Sequence, residues 1–391
     1  MNRMERRLVY MDYNATTPLR PEVKAAMIED LEVFANASSM HEAGRRARAR
    51  VEEARARVAR LVGADDPERV IFTSGGSESN NTVFATMFHL GRAGSRRGIV
   101  TTKIEHPCVL NAAKWLEAEG FPVTFLDVDE YGMVRLDQLR ASVGPDTLLV
   151  SVMAANNEIG TIQDMAAISG VAKAAGAFFH SDATQAVGKV RVDVREWGVD
   201  YMTMSCHKLY GPKGVGALYA RPGAPLEPLI RGGHQEHGFR AGTYNNQGIL
   251  GFGLAADLAR AELDEYSARV RALRNRMRDG IVASVPKVRV NGHPESVLPN
   301  TLNVSFPGAE GEAILLSLDL EGIRVSTGSA CASGSLEPSH VLLATGVGPE
   351  LAHGSIRFSL GRDTTEAEVD YVVSKIGPII ARLRAMSTVS Y

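Results

Sequence analysis

From residue 70 to residue 205 the chain alternates between short apolar runs and longer amphipathic ones. Val70-Ile71-Phe72-Thr73, Gly98-Ile99-Val100-Thr101, Val123-Thr124-Phe125-Leu126, Leu148 to Val152, Ala177 to Ser181 and Tyr201 to Met204 read as strands. Val109 to Glu119, Leu136 to Ser142 and Met165 to Ala175 carry apolar residues at helical spacing. Strands and helices in this order predict a mainly parallel sheet with helices on both faces. Ahead of it, helices are expected over Pro21 to Leu31 and Gly44 to Val62, the second with Ala47, Val51, Ala54, Val58 and Leu61 on one face. Its other face holds seven arginines between Arg45 and Arg60. Glu52 and Glu53 interrupt them and no aromatic residue is interleaved, so this face is expected to be solvated rather than to bind nucleic acid.

The pattern changes near residue 255. Ala259 to Arg278 is a long charged helical stretch, expected to connect two domains. Beyond it the order is α+β: strand-like Val288 to Val290 and Thr301 to Phe306, a helix from Glu312 to Leu320, a strand from Ser355 to Leu360, and a last helix from about Glu366. Thr365 and Glu368 have the spacing of a capping box for that helix.

Composition narrows the classes without choosing among them. The chain has 391 residues, 45% hydrophobic and 23% charged, as in ordinary globular proteins. A net charge of -2 gives no global attraction for nucleic acid or a membrane surface. No apolar run is long enough to span a bilayer, and Met1 to Arg7 is basic without the apolar core of a secretory signal. Cys108, Cys206 and Cys331 lie far apart, with no CxxC pair for zinc or redox chemistry, which fits a reducing cytoplasm.

Chemistry concentrates where strand-like runs end. After Tyr201 to Met204 come Ser205-Cys206-His207-Lys208 and then Gly211, Pro212, Gly214 and Gly216, a tight loop leaving a strand. Open α/β sheets bind ligands at the carboxyl ends of their strands. Burial there favours a neutral lysine amine, a nucleophile toward a carbonyl cofactor. The alternative is a lysine that caps a surface turn. The preceding strand-like run ends in Asp182 and Gln185. Pyridoxal phosphate needs both a lysine for its aldehyde and an acid for its ring nitrogen, so Asp182 beside Lys208 favours the cofactor role. Ser74-Gly75-Gly76-Ser77-Glu78-Ser79, between a strand and the helix-like run Asn80 to Leu90, has the small residues of an anion-binding turn but matches no dinucleotide or nucleotide motif. His106 follows another strand end, where an imidazole could stack on a pyridine ring. Thr327 to Ser335 contains only small residues around Cys331 and is expected to be a mobile loop carrying a candidate nucleophile.

Taken together, these motifs resemble the NifS/IscS-like cysteine desulfurases, in the class-V aminotransferase family of fold-type I pyridoxal-phosphate enzymes. The resemblance runs from Asp12-Tyr13-Asn14-Ala15-Thr16-Thr17 to Ser355-Ile356-Arg357-Phe358-Ser359-Leu360-Gly361-Arg362. It implies an α/β fold: a large cofactor-binding domain over 15–258, and a smaller α+β domain from 1–14 and 259–391 carrying the cysteine loop. It implies that Lys208 forms the Schiff base, Asp182 pairs with the pyridine nitrogen, Gln185 bonds the ring hydroxyl and His106 stacks on the ring. Gly76, Ser77, Ser205 and His207 would hold the phosphate, and Thr243 would reach the neighbour's phosphate in a homodimer. Arg357 would grip the substrate carboxylate with Asn157 nearby, and Cys331 would attack the sulfur of L-cysteine. The implied partners are L-cysteine and a sulfur-acceptor protein such as an iron–sulfur scaffold. No metal site is implied. Two positions depart from the family pattern but keep its small or hydroxyl character: Asn36-Ala37-Ser38-Ser39 and Gly75-Gly76-Ser77-Glu78. The long small-residue loop resembles the group whose cysteine swings outward to a partner. An aminotransferase would not need Cys331 there, and a non-catalytic scaffold would not need Lys208, Asp182 and Arg357 together. A selenocysteine lyase would use the same pocket.

Overall fold

The computed structural model describes residues 8–327 and 337–387. The first part of the chain forms β1 (Val9–Tyr10), α1 (Pro21–Leu31), α2 (Glu42–Leu61), β2 (Val70–Thr73), α3 (Gly76–Ala93), β3 (Gly98–Thr102), α4 (Pro107–Ala118) and β4 (Val123–Leu126). It continues through α5 (Leu136–Ser142), β5 (Thr147–Ser151), α6 (Met165–Ala174), β6 (Phe178–Asp182), α7 (Val194–Trp197), β7 (Tyr201–Ser205) and β8 (Gly216–Ala220). The rest forms α8 (Asn246–Ser284), β9 (Arg289–Asn291), β10 (Thr301–Ser305), α9 (Gly311–Leu320), β11 (Ile323–Arg324), α10 (His340–Ala344), α11 (Pro349–His353), β12 (Ser355–Ser359) and α12 (Glu366–Met386).

Seven of these strands make the main sheet, in the order β2-β8-β7-β6-β5-β3-β4. β3 to β7 run parallel, and β8 is antiparallel to both of its neighbours. Alternate residues of each strand feed two different cores. Ile71, Ile99, Leu149, Tyr201 and Leu218 pack with Phe84, Met87 and Leu116 of α3 and α4. Phe72, Val100, Val150, Met202 and Ala217 pack with Val51, Val58, Ile168 and Phe252 of α2, α6 and α8. Both faces are therefore covered, which is why the strands read as continuous apolar runs.

A third core lies outside this sheet. β12, β10 and β9 form an antiparallel sheet, and Leu302, Val304, Ile356 and Phe358 pack there with Ile314, Ile376 and Val9. α8 serves two cores, through Phe252 and Ala256 in its first half and Val270, Leu273 and Met277 in its second. The connector expected to begin at Ala259 is thus the middle of a helix that starts at Asn246. The capping box of Thr365 and Glu368 is present at the start of α12.

The arginine face of α2 is not wholly solvated. Arg55 is fully buried, where its guanidinium bonds both carboxylate oxygens of Glu236 and the Val70 carbonyl. Arg48 and Arg57 pair with partly exposed acids, and Arg50 with the buried Asp30. No helix among the described residues is long and apolar enough to cross a membrane.

Candidate active site

The strand ends at one edge of the main sheet bring the sequence-derived candidates together. β7 runs to Ser205, and a single tight turn, Cys206–Lys208, follows it. The Lys208 amine donates to the carbonyls of Asn14 (2.5 Å) and Ala15 (2.7 Å). His207 sits beside it, its Nδ1 3.1 Å from Thr16 Oγ1. Burial, then the nearby lysines 208, 213 and 189, push the His207 imidazole down to about 4, so it is neutral at physiological pH.

β6 ends in Asp182, a buried carboxylate held by neutral donors. Asn80 Nδ2 gives it a bond of 2.8 Å and the Thr184 amide one of 3.0 Å. No ion pair reaches Asp182 among the described residues. Asn80 comes from the second turn of α3, and sequence reasoning did not single it out. α3 itself begins at Gly76, four residues before the helix expected from the pattern, so Gly76 and Ser77 form its first turn. A Cβ on Gly76 would lie 3.1 Å from Thr184 Oγ1 and 3.8 Å from Ser205 Cβ. Thr184 Oγ1 is buried with no hydrogen-bond partner among the described residues.

His106 caps the start of α4. Its Nδ1 accepts from the Cys108 amide (3.2 Å) and lies 2.9 Å from Cys108 Sγ. Burial pulls its imidazole below the ordinary histidine range, outweighing the attraction of Asp182. Glu105, just before it, is fully buried, accepting from Thr102 Oγ1 (2.7 Å) and the Met153 amide (2.9 Å). Burial pushes its carboxyl up to about 8. Cys108, one residue ahead of the helix expected from Val109, is in the first turn of α4. Its thiol is pushed up to about 12, first by burial and then by Asp182.

Gln185 is buried, donating from Nε2 to the Asn14 carbonyl (3.0 Å) and accepting from Lys189. Arg357, in β12, is buried as well. Its Nη2 donates to Asp12 Oδ1 (2.7 Å) and its Nη1 to the Asn157 carbonyl (3.0 Å). Asn157 lies in a loop pinned by the buried Asn156, whose Oδ1 accepts from the amides of Glu158 and Ile159. Thr243 stands apart, on an exposed turn before α8, beside a cleft lined by Ser74, Arg240 and Tyr244.

Cys331 lies outside the described residues, but both flanks of its segment meet the site. Ser326 exchanges two backbone hydrogen bonds with Arg357 (2.7 and 3.2 Å). On the other side Ser339 Oγ donates to Glu158 (2.5 Å), and His340 Nε2 meets the Glu105 carbonyl (3.0 Å).

Asn14 was legible only as part of a motif, yet its carbonyl takes Lys208 and Gln185 while its side chain reaches Asn157, Thr301, Asn300 and Lys189. Lys189 has one local signal, its place four residues after Gln185 in a weakly polar stretch.

The likeness to known proteins extends over nearly the whole chain. The aminotransferase class-V family model matches residues 9–372. The protein "Cysteine desulfurase IscS" of Dictyoglomus turgidum is 50% identical over 98% of this chain and 97% of its own length. "Cysteine desulfurase 2" of Trichormus variabilis is 49% identical over 98% and 96%. A solved NifS-like protein superposes with a TM-score of 0.90 at 39% identity, covering 96% of this chain and all of the other. With this extent of identity and the same arrangement of strands and helices, the chain belongs to the class-V aminotransferase family, among its NifS/IscS-like cysteine desulfurases.

Proposed function

We propose that this protein is a pyridoxal 5'-phosphate-dependent cysteine desulfurase that releases L-alanine from L-cysteine and leaves a persulfide on Cys331 for a sulfur-acceptor protein. The desulfurase activity follows from the family. The observation that carries the cofactor reading is Asp182, a buried carboxylate with two neutral donors and, among the described residues, no ion pair, at the strand end next to Lys208. An ionised carboxylate in such a place is costly without a positive partner, and a protonated pyridine is one. The unpartnered Thr184 hydroxyl beside the bare Cα of Gly76 fits a phosphate in the same way.

Lys208 would hold the cofactor aldehyde, Asp182 its ring nitrogen, Gln185 its hydroxyl and His106 its face. Gly76, Ser77, Ser205 and His207 would hold the phosphate. The exposure of Thr243 suits a residue that completes a neighbour's site in a homodimer. When bound, the cofactor supplies an aldehyde for amines and an electron sink for the substrate α-carbon. This chain's residues supply the rest. Arg357 orients the substrate by its carboxylate, in exchange for Asp12. Lys208 moves the α-proton. The Cys331 thiolate attacks the substrate sulfur: the S–S bond forms as the C–S bond breaks, and carbon keeps the C–S electron pair and takes a proton. An ordinary thiol is only roughly one-tenth ionised near pH 7.5, so a base helps. His106, kept neutral by burial, can take that proton.

We also read the chain as two domains, 15–258 and 1–14 with 259–391; the separate core around β10 and β12, which includes Val9 and Met11, supports the division. The proposed setting is the cytoplasm.

Borohydride reduction of the purified protein followed by peptide mapping tests the cofactor assignment. Pyridoxyl label on Lys208, and none in Lys208→Ala, is the expected result. Label on another lysine would sink it.

A further inference from the structure

Lys189 is buried, 2% exposed, and four residues beyond Gln185 in the turns that leave β6. It has no carboxylate partner among the described residues. Its charged neighbours, Lys208 and Arg357, carry the same sign, and with burial they pull its amine well below the ordinary lysine range. A buried ammonium without a counter-ion is unfavourable, so the neutral form is favoured.

The hydrogen-bond count agrees. The Lys189 amine meets two acceptors, Gln185 Oε1 at 2.5 Å and Asn14 Oδ1 at 3.1 Å. A neutral amine has two hydrogens to give and an ammonium has three. Two donors on two acceptors leave no buried N–H unpaired.

The bond to Gln185 sets the direction of its amide, and the bond to Asn14 does so together with Asn300 Nδ2, which also donates to Asn14 Oδ1 (2.9 Å). With its oxygen on Lys189, Asn14 turns its Nδ2 to Thr301 Oγ1 (2.8 Å) and the Asn157 carbonyl (3.1 Å). With its oxygen on Lys189, Gln185 turns its Nε2 to the Asn14 carbonyl (3.0 Å). One N–H of Gln185 then remains to be given. The same Asn14 carbonyl receives the Lys208 amine.

We propose that Lys189, as a neutral amine, is a positioning residue: by donating to Gln185 and Asn14 it makes Gln185 present an N–H to the cofactor hydroxyl and holds the Asn14 carbonyl on Lys208. This rests on the reading above that Gln185 meets that hydroxyl. Without Lys189 the Gln185 amide is free to turn, and its oxygen would face an oxygen.

Lys189→Met removes both donors and keeps the length and apolar packing. In the holoenzyme the pH titration of the visible absorption should move up by about one unit, because the ionised hydroxyl loses a donor. kcat should fall about tenfold while KM for L-cysteine stays within about twofold. In a Gln185→Leu background the same substitution should leave the titration where Gln185→Leu put it, since Lys189 acts through Gln185. An unmoved titration in Lys189→Met, with only a lower melting temperature, would overturn the role, as would additive shifts in the double variant. Should Lys189→Met not fold, lysine 15N NMR of the unsubstituted holoenzyme decides. One slowly exchanging neutral amine at pH 7, with Lys208 consumed by the cofactor, is expected; every remaining lysine as an ammonium overturns the proposal. Loss of borohydride trapping on Lys208 in the unsubstituted protein would instead defeat the cofactor reading, a separate outcome.

Discussion

Glu105 is a carboxyl whose ionisation the fold resists. Its carboxyl moves from an ordinary 4.5 to about 8, chiefly through burial, because one oxygen takes both donors and the other has none. The folded value lies above the unfolded one, so the folded state binds the extra proton between them. Stability from this group is therefore full below about pH 4.5 and falls as pH rises to about 8, by at most ~1.4 kcal/mol per pH unit. Glu105→Gln cannot ionise and should gain on the parent protein as pH rises from 6 to 8, measured by urea unfolding. An equal stability difference at the two pH values would show that Glu105 does not carry this slope. At this scale the sequence was partly readable. Lys208 and Asp182 stand at strand ends next to turn residues, which is a local signal. Lys189, Asn80 and Asn14 have meaning only through partners far away in the chain, such as Asn14 on Lys208 at a separation of 194 residues.

Elements were readable where their chemistry is local. Thr365 and Glu368 announced the start of α12, and the apolar runs announced the parallel strands. β8 was missed because Gly216-Ala217-Leu218-Tyr219-Ala220 is buried throughout, has no polar alternation, and starts among glycines. α3 was read as starting late because its first turn is made of Gly76, Ser77, Glu78 and Ser79, polar or small residues that carry no apolar helical signal. The two elements meet at one point. A Cβ on Gly216 would lie 2.6 Å from Gly75 Cα and 2.8 Å from the Met204 carbonyl, both backbone. Gly216→Ala must therefore push β8 away from the turn that opens α3. It should cost about 1–3 kcal/mol in stability, with cofactor retention lost on dialysis before the fold is. Parent-like retention and unfolding would mean that the approach of β8 to Gly75 does not shape the phosphate turn.

At the scale of the whole molecule, the N-terminal segment holds the site together. Asp12 pairs with Arg357, Asn14 bonds Lys208 and Asn300, and Thr17 Oγ1 donates to the carbonyl of His207 and accepts from the amide of Tyr210. One short stretch thus ties β7 of the main sheet to β10 and β12 of the smaller one. Composition and periodicity predicted both sheets but not this staple, because it depends on which distant turns come to lie against residues 12–17. Arg357, a charge within the apolar run Ile356 to Leu360, likewise depends on this segment, through Asp12. The flanks of the Cys331 segment end on Arg357, Glu158 and the Glu105 carbonyl, beside the residues assigned to substrate and ring.

Three thiols could in principle accept sulfur, and their surroundings separate them. Cys206 is buried and Cys108 is hydrogen-bonded beside Asp182; burial raises both thiols well above the ordinary range, so neither is a thiolate at neutral pH. That leaves Cys331. The most direct measurement is L-alanine release from L-cysteine by Cys331→Ala, with mass spectrometry for persulfide on each remaining cysteine. The account predicts that the variant keeps its cofactor on Lys208, releases no L-alanine above background and carries no persulfide on Cys108 or Cys206. Parent-like L-alanine release, or a persulfide on either of those two thiols, would contradict it.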